Sequence, residues 1–229
     1  MDKPLHSAAA EPHLSPSPLP ALPAEDGNAA CEEPALSDVT GLPPGAAYAA
    51  LLKTREEEQT AVRAGLTLLF CALAAGPFAV VGAFMRGGGG ATVLGSVVFA
   101  PLVEEFAKIA TPLIVLERCP WRWTRGWQLV FVCAVSGLVF AAVENLLYQH
   151  VYLDNPSAEL LRWRWIICVL MHTGCSTIAG LGLRRAWRET RLRRTRPDAA
   201  LPAPYVITAI VLHGAYNALA VALSLLGVI

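Results

Sequence analysis

The stretch ATVLGSVVFAPLVEEFAKIATPLIVLE, residues 91–117, decides the reading of this chain. Its length and apolar content are those of a helix that crosses a bilayer, which takes about 20 mostly apolar residues. Yet Glu104, Glu105 and Lys108 stand near its middle. An ionisable group at the bilayer centre costs roughly 2.5–3.5 kcal/mol on insertion scales, so three together need partners and a purpose. The remainder of the sequence is arranged to supply both.

The chain has 229 residues, of which 55% are hydrophobic. Its mean hydropathy is +0.47, and the apolar residues fall in blocks of spanning length. The expected fold is therefore all-α, a polytopic membrane helical bundle of about five transmembrane helices. The formal net charge is zero, and no single-sign field points to nucleic acid as a partner. The six cysteines form no CxxC pair and lie mostly in apolar stretches, which reads as small buried residues without a disulfide framework. Cys175 follows His172 by three residues, the one cysteine with a role to weigh beside a histidine.

Residues 1–44 hold nine of the seventeen prolines and seven acidic residues against one lysine, a composition that cannot bury a core and predicts a disordered tail. That tail lacks the basic start and apolar run of a cleavable signal peptide. Residues 45–63 are rich in Ala, Leu, Glu and Arg and predict a juxtamembrane helix whose charged end is solvated. Residues 64–229 form the transmembrane domain. Its first span, Ala64–Met85, is placed to kink at Gly76-Pro77, and a flexible turn follows at 86–90. The second span is the opening stretch. Trp121 and Trp123, among Arg118, Arg122 and Arg125, suit a membrane–water interface. The third, fourth and fifth spans are Trp127–Gln149, Trp165–Leu183 and Tyr205–Ile229, with an arginine-rich loop at 184–196 before the last.

Lys53, Arg55, Arg63, Arg118, Arg122, Arg125 and the seven arginines of 184–196 all fall on one side of these spans, against Arg86, Arg162 and Arg164 on the other. The positive-inside rule then puts the N-terminus and the arginine loop in the cytoplasm, facing anionic membrane lipids. At about 1.5 Å of rise per residue, Glu104, Glu105, His172 and His213 share the middle third of the bilayer, with Glu144 somewhat nearer the outer face. Glu104 and Lys108 are spaced i,i+4, so the lysine can neutralise that glutamate, while Glu105 points about 100° away. His172 with Ser176, and His213 with Asn217, repeat the i,i+4 spacing, and Phe140 lies one turn below Glu144. Pro101 removes the hydrogen bond to the Val97 carbonyl just before the glutamate pair.

These residues fall into four motifs in order. PLVEEFAK at 101–108 resembles the EExxK motif of the PrsW family of intramembrane proteases, and FAAVENLLY at 140–148 resembles its FxxxE motif. HTGCS at 172–176 is similar to its HxxxS motif, and HGAYN at 213–217 to its HxxxN motif. That family is related to the CAAX prenyl proteases and the ABI bacteriocin-immunity proteins. The resemblance covers about residues 91–229.

By this resemblance the chain is an intramembrane endopeptidase, expected in the cytoplasmic membrane of a bacterium. It would act on a single-pass membrane protein, with anti-sigma factors as a substrate class. The resemblance implies Glu104 as the base that activates water, with Glu105 and Lys108 orienting and neutralising. Glu144 shares the water or binds a metal, His172 with Ser176 is a ligand or its support, and His213 with Asn217 forms the oxyanion site or, for His213, a ligand. Two mechanisms follow: Zn²⁺ held by Glu144, His172 and His213, or a metal-free glutamate protease. There is no HExxH. The rival functions are a proton- or cation-coupled transporter, for which no paired broken helices are seen, and a non-catalytic membrane scaffold.

Overall fold

The computed structural model describes residues 41–87 and 92–227. The tail expected over residues 1–44 falls almost wholly outside them. Among the described residues the fold is helical, with no strand. Its helices are α1 (Pro44–Glu57), α2 (Ala61–Leu73), α3 (Ala75–Gly87), α4 (Ala100–Arg118), α5 (Trp127–Leu147), α6 (Ala158–Trp163), α7 (Val169–Arg193) and α8 (Ala203–Leu225). Wide π turns precede α4 (Gly95–Phe99), follow α5 (Tyr148–Tyr152) and join α6 to α7 (Arg164–Cys168).

Among the described residues four segments are long and apolar enough to cross a membrane: Ala61–Val81, Trp127–Tyr152, Ala158–Arg193 and Ala203–Leu225. The opening stretch, α4, is the fifth long helix, and its buried charges keep it out of that apolar class. It packs among α3, α5, α7 and α8, while α5 against α7 forms the most extensive interface of the bundle. The outside is apolar, with Leu66, Phe70, Phe131, Leu170, Val211 and Leu219 exposed, as suits a lipid-facing surface.

The first span breaks at Ala74, three residues before Pro77. Proline has no N–H for the Leu73 carbonyl four residues back, so the break falls there and not at Gly76-Pro77 itself. Arg86 and Gly87, expected in a turn, belong to the last turn of α3; residues 88–91 lie outside the described ones. The expected arginine loop is also helix. α7 continues to Arg193, because Arg, Leu, Ala and Glu favour helix and Arg193 pairs with Glu189 one turn back at 2.9 Å. Arg194 ends it in the left-handed conformation (φ 56°). Ser157 starts α6, its hydroxyl accepting from Leu160 N at 3.1 Å.

At the charged end of α1, Lys53, Arg55, Glu57 and Glu58 are exposed, the solvated face expected there, while Glu56 is docked. Glu56 meets Arg191 at 2.6 Å and Arg194 at 2.7 Å. Gln59 donates to the Arg122 carbonyl at 3.2 Å. Burial pushes the Tyr48 phenol up to about 12, against the lowering pull of Arg196, whose guanidinium lies 5.8 Å from its ring centre. Trp123, expected at an interface, is fully buried, and its carbonyl accepts from Trp187 Nε1 at 3.0 Å.

The main core lies toward this arginine-rich end. Ile109 and Leu116 of α4 meet Leu129 and Val132 of α5, Ala179 and Leu183 of α7, and Ala209 of α8. A smaller cluster sets Ala75 and Ala79 of α3 against Phe140. Between these two apolar bodies and the opposite ends of α5 and α8 sit the buried polar groups.

Candidate functional site

The start of α4 sets the site. In the π turn the Ala100 N–H reaches back to the Gly95 carbonyl, five residues away. Continued one residue, that register would bring the residue-101 N–H to the Ser96 carbonyl, but residue 101 is proline and has none. Asn217 of α8 supplies the missing donor, its Nδ2 reaching Ser96 O at 2.8 Å. Pro101, expected to bear on the Val97 carbonyl, bears in the π register on Ser96, whose carbonyl Asn217 satisfies. The Val97 oxygen lies against Gly214, where a Cβ would stand only 2.6 Å from it. Only glycine lets α8 approach the π turn this closely, and the approach brings the neighbouring His213 to α4.

His213 Nδ1 lies 2.7 Å from Glu105 Oε1. The same oxygen accepts from Lys108 Nζ at 2.6 Å. Lys108 therefore pairs with Glu105, three residues back, and the neutralisation expected at Glu104 is found one position along. Its ammonium also meets His172 Nδ1 at 2.6 Å and lies 4.8 Å from the Phe140 ring centre. Phe140 is thus beneath Lys108 and His172, its ring 5.7 Å from the imidazole. Ser136 of α5 donates to the Lys108 carbonyl at 2.5 Å, tying α5 to α4 at this level.

On its other side His172 Nε2 stands 3.1 Å from Glu144 Oε2. α5 and α7 come together here because residue 137 is glycine; a Cβ there would lie 2.6 Å from Ser176 Oγ and 2.7 Å from the His172 carbonyl. The two imidazoles pack edge to face at 4.8 Å between centres. Glu104 Oε2 is 3.7 Å from His213 Nε2. Glu104, Glu105, Lys108, Glu144, His172, Ser176 and His213 are all buried, Glu105 completely. Six of the seven residues expected at the site meet side by side in this cluster. The seventh, Asn217, is a turn away and spends its amide on Ser96.

The two histidines are wired differently. An ammonium has donors and no acceptor, so Nδ1 of His172 accepts from Lys108 and its N–H is on Nε2, facing Glu144. His213 gives its Nδ1–H to the Glu105 carboxylate, which leaves the Nε2 lone pair toward Glu104. The second arrangement, an imidazole held by a carboxylate with its other nitrogen free, is that of metal-binding histidines.

One donor atom each from Glu104, His172 and His213 lies within 4.8 Å of the other two, and the same is true of Glu144, Cys168 and His172. The donor types suit Zn²⁺. His172 belongs to both groups, and its Nε2 would give up the hydrogen it shows Glu144 in order to serve as a ligand.

A cavity of about 270 Å³ leads to this cluster, lined among others by Glu144, His172, His213, Asn217, Arg164 and Tyr216. Glu104 lies beside His213, one of the lining residues. Three of the groups here escaped the sequence reading. Arg164 Nη2 lies 3.5 Å from Glu144 Oε2, although its sequence position marks it only as a charge at the start of a span. Cys168, not Cys175, is the cysteine beside the acid–histidine pair. Tyr216 accepts from Trp163 Nε1 at 2.9 Å and stacks on that indole.

Fold and site together define a polytopic helical membrane protein with a buried carboxylate–imidazole–lysine centre at the base of a cavity. The family model for PrsW family intramembrane metalloproteases matches residues 59–229, three quarters of the chain, and the chain belongs to that family. It is accordingly a membrane-embedded hydrolase that cleaves proteins. Neither a curated protein nor a solved structure matches it.

Proposed function

We propose that the protein is an endopeptidase that cleaves single-pass membrane proteins, anti-sigma factors among the candidate classes, within the span. The observation that carries this reading is the convergence of Glu104, Glu144, His172 and His213 from four helices beside one cavity. Cleavage of a peptide bond there needs an activated water, a stabilised oxyanion and exclusion of lipid.

Glu104 is the base that takes a proton from the attacking water. Glu105 holds His213 through Nδ1 and fixes which nitrogen faces Glu104. Lys108 balances the charge of Glu105 and sets the tautomer of His172, so that His172 donates to Glu144 and orients that carboxylate at the cavity. Asn217 positions the start of α4 through Ser96, and Ser176 packs where α5 and α7 touch. A Zn²⁺ ion, when bound, would be held at His172, which shares one group of donor atoms with Glu104 and His213 and another with Glu144 and Cys168, so that of the three ligands expected from the sequence Glu144 and His213 fall in different groups. It would supply Lewis-acid polarisation and a more acidic water. The tail and the arginine-rich end of α7 face the cytoplasm and anionic lipid, in the cell membrane.

The test is reconstitution into liposomes with a panel of single-pass substrates, followed by mass analysis of the products. Cleavage inside the span by the wild-type protein, lost in Glu104→Ala, supports the reading. Cleavage that persists in Glu104→Ala, or ion flux without any cleavage, contradicts it. Metal analysis of the active preparation separates the two forms of the chemistry: a stoichiometric ion whose removal stops cleavage, or full activity without one.

A further inference from the structure

Arg164 is not used by the chemistry above, and its surroundings are unusual. It opens the π turn between α6 and α7, and its backbone carbonyl is fixed by Asn145 Nδ2 at 3.0 Å. Its guanidinium carbon lies over the Tyr148 ring, 3.5 Å from the centre, and its side chain is only 15% exposed. The contact with Glu144, at 3.5 Å, is an ion pair longer than a hydrogen bond. Nε and Nη2 are both shielded from solvent and have no hydrogen-bond partner. Leaving donors of a buried cation unspent is costly, and guanidinium has five of them in a rigid fork. Arg164 and the catalytic candidates Glu144, His172 and His213 line one cavity.

We infer that Arg164 binds a backbone carbonyl oxygen of the substrate, one released when the substrate helix unwinds next to the bond to be cut. This rests on the protease reading above. In a membrane helix every carbonyl is bonded within the helix, so exposing a peptide bond to attack leaves neighbouring carbonyls without donors in a place where each costs several kcal/mol. Arg164 lines the cavity, so a turn of its guanidinium off the Tyr148 ring brings these shielded, unspent N–H groups to such a carbonyl. A neutral carbonyl fits better than a carboxylate, because Glu144 already balances the guanidinium and a second anion would meet its repulsion. An endopeptidase also presents internal carbonyls, not chain ends. Arg164 would therefore favour spans that unwind easily, at glycine or proline.

The experiment measures binding in lipid nanodiscs, with Glu104→Gln protein to prevent turnover. The probe is a fluorescent Leu/Ala-rich transmembrane peptide with a central Gly-Pro, and a series of it with single thioamides, which accept hydrogen bonds poorly. Adding Arg164→Gln is expected to weaken binding about tenfold or more, the loss of one charge-assisted hydrogen bond. A thioamide at one position is expected to weaken binding by a similar factor when Arg164 is present and not when it is replaced. Arg164→Lys is expected to fall between, and it carries the test should Arg164→Gln fail to fold by thermal melting.

Equal affinity with and without Arg164, or a thioamide effect that ignores Arg164 at every position, overturns the inference. If protein with Glu104 intact cleaves the peptide while Arg164→Gln leaves affinity unchanged, only the role of Arg164 falls. If the peptide is neither bound nor cleaved, the protease reading falls with it.

Discussion

Two regions of the molecule pair carboxylates with cations in opposite surroundings. At the centre, Lys108 and Glu105 are both fully shielded, and His172 and His213 close the set. At the arginine-rich end of α7, Glu56 takes Arg191 and Arg194, with side chains 15%, 30% and 44% exposed. The distances are the same within 0.1 Å, 2.6 Å in one region and 2.6 and 2.7 Å in the other. What differs is what happens when a partner is removed. In the centre a charge is stranded in low dielectric, whereas at the surface water and salt replace it. Short contacts alone therefore do not mark the site; burial of a charge set with internal partners does.

The sharpest break of that contrast is Lys108→Met. It strands the Glu105 carboxylate, and removing one member of a buried pair costs roughly 3–5 kcal/mol. The variant is expected to lose most of its folded population in detergent, read by thermal unfolding. Survival at the wild-type midpoint would show that Glu105 does not depend on it.

A smaller loss is expected from Gly214→Ala. Its methyl would press on the Val97 oxygen, a backbone atom that cannot turn aside. Overpacking of this kind costs about 1–3 kcal/mol. Because the strain separates α8 from the π turn, His213 should also leave Glu105, visible as a changed imidazole signal in NMR. An unchanged signal would mean that α8 is placed by other contacts.

The least effect belongs to the surface. Glu56→Gln is expected to cost about 1 kcal/mol or less and to be masked by high salt. Comparing melting in low and high salt checks it. A large, salt-independent loss would show that α1 docks by more than charge.

Much of this was legible in the sequence. The apolar blocks announced the spans, and polar residues at matching depth in four of them announced that those helices meet. The i,i+4 spacings narrowed the faces but did not choose among partners. Lys108 can reach either Glu104 or Glu105 on one helix, and what decides is His213 and His172 arriving from α8 and α7. The π turns are set by interlocking carbonyls and donors between helices, such as Asn217 on Ser96, so no local pattern reveals them. Arg164 looked like a flanking charge because its neighbours, Tyr148 and Glu144, come from another helix and its following turn. The arginines of 184–196 read as a loop by charge, yet their helix propensity and the α1 contacts prevailed.

The most direct measurement compares Glu104→Gln with Glu56→Gln in one proteoliposome cleavage assay, after both are shown to fold. Loss of a positioned acid–base group lowers rates by about 10²–10⁴. Glu104→Gln is expected to fall by that factor while Glu56→Gln cleaves at close to the wild-type rate. A Glu104→Gln protein that cleaves as fast as wild type would contradict the assignment of the buried centre as the place where water is activated.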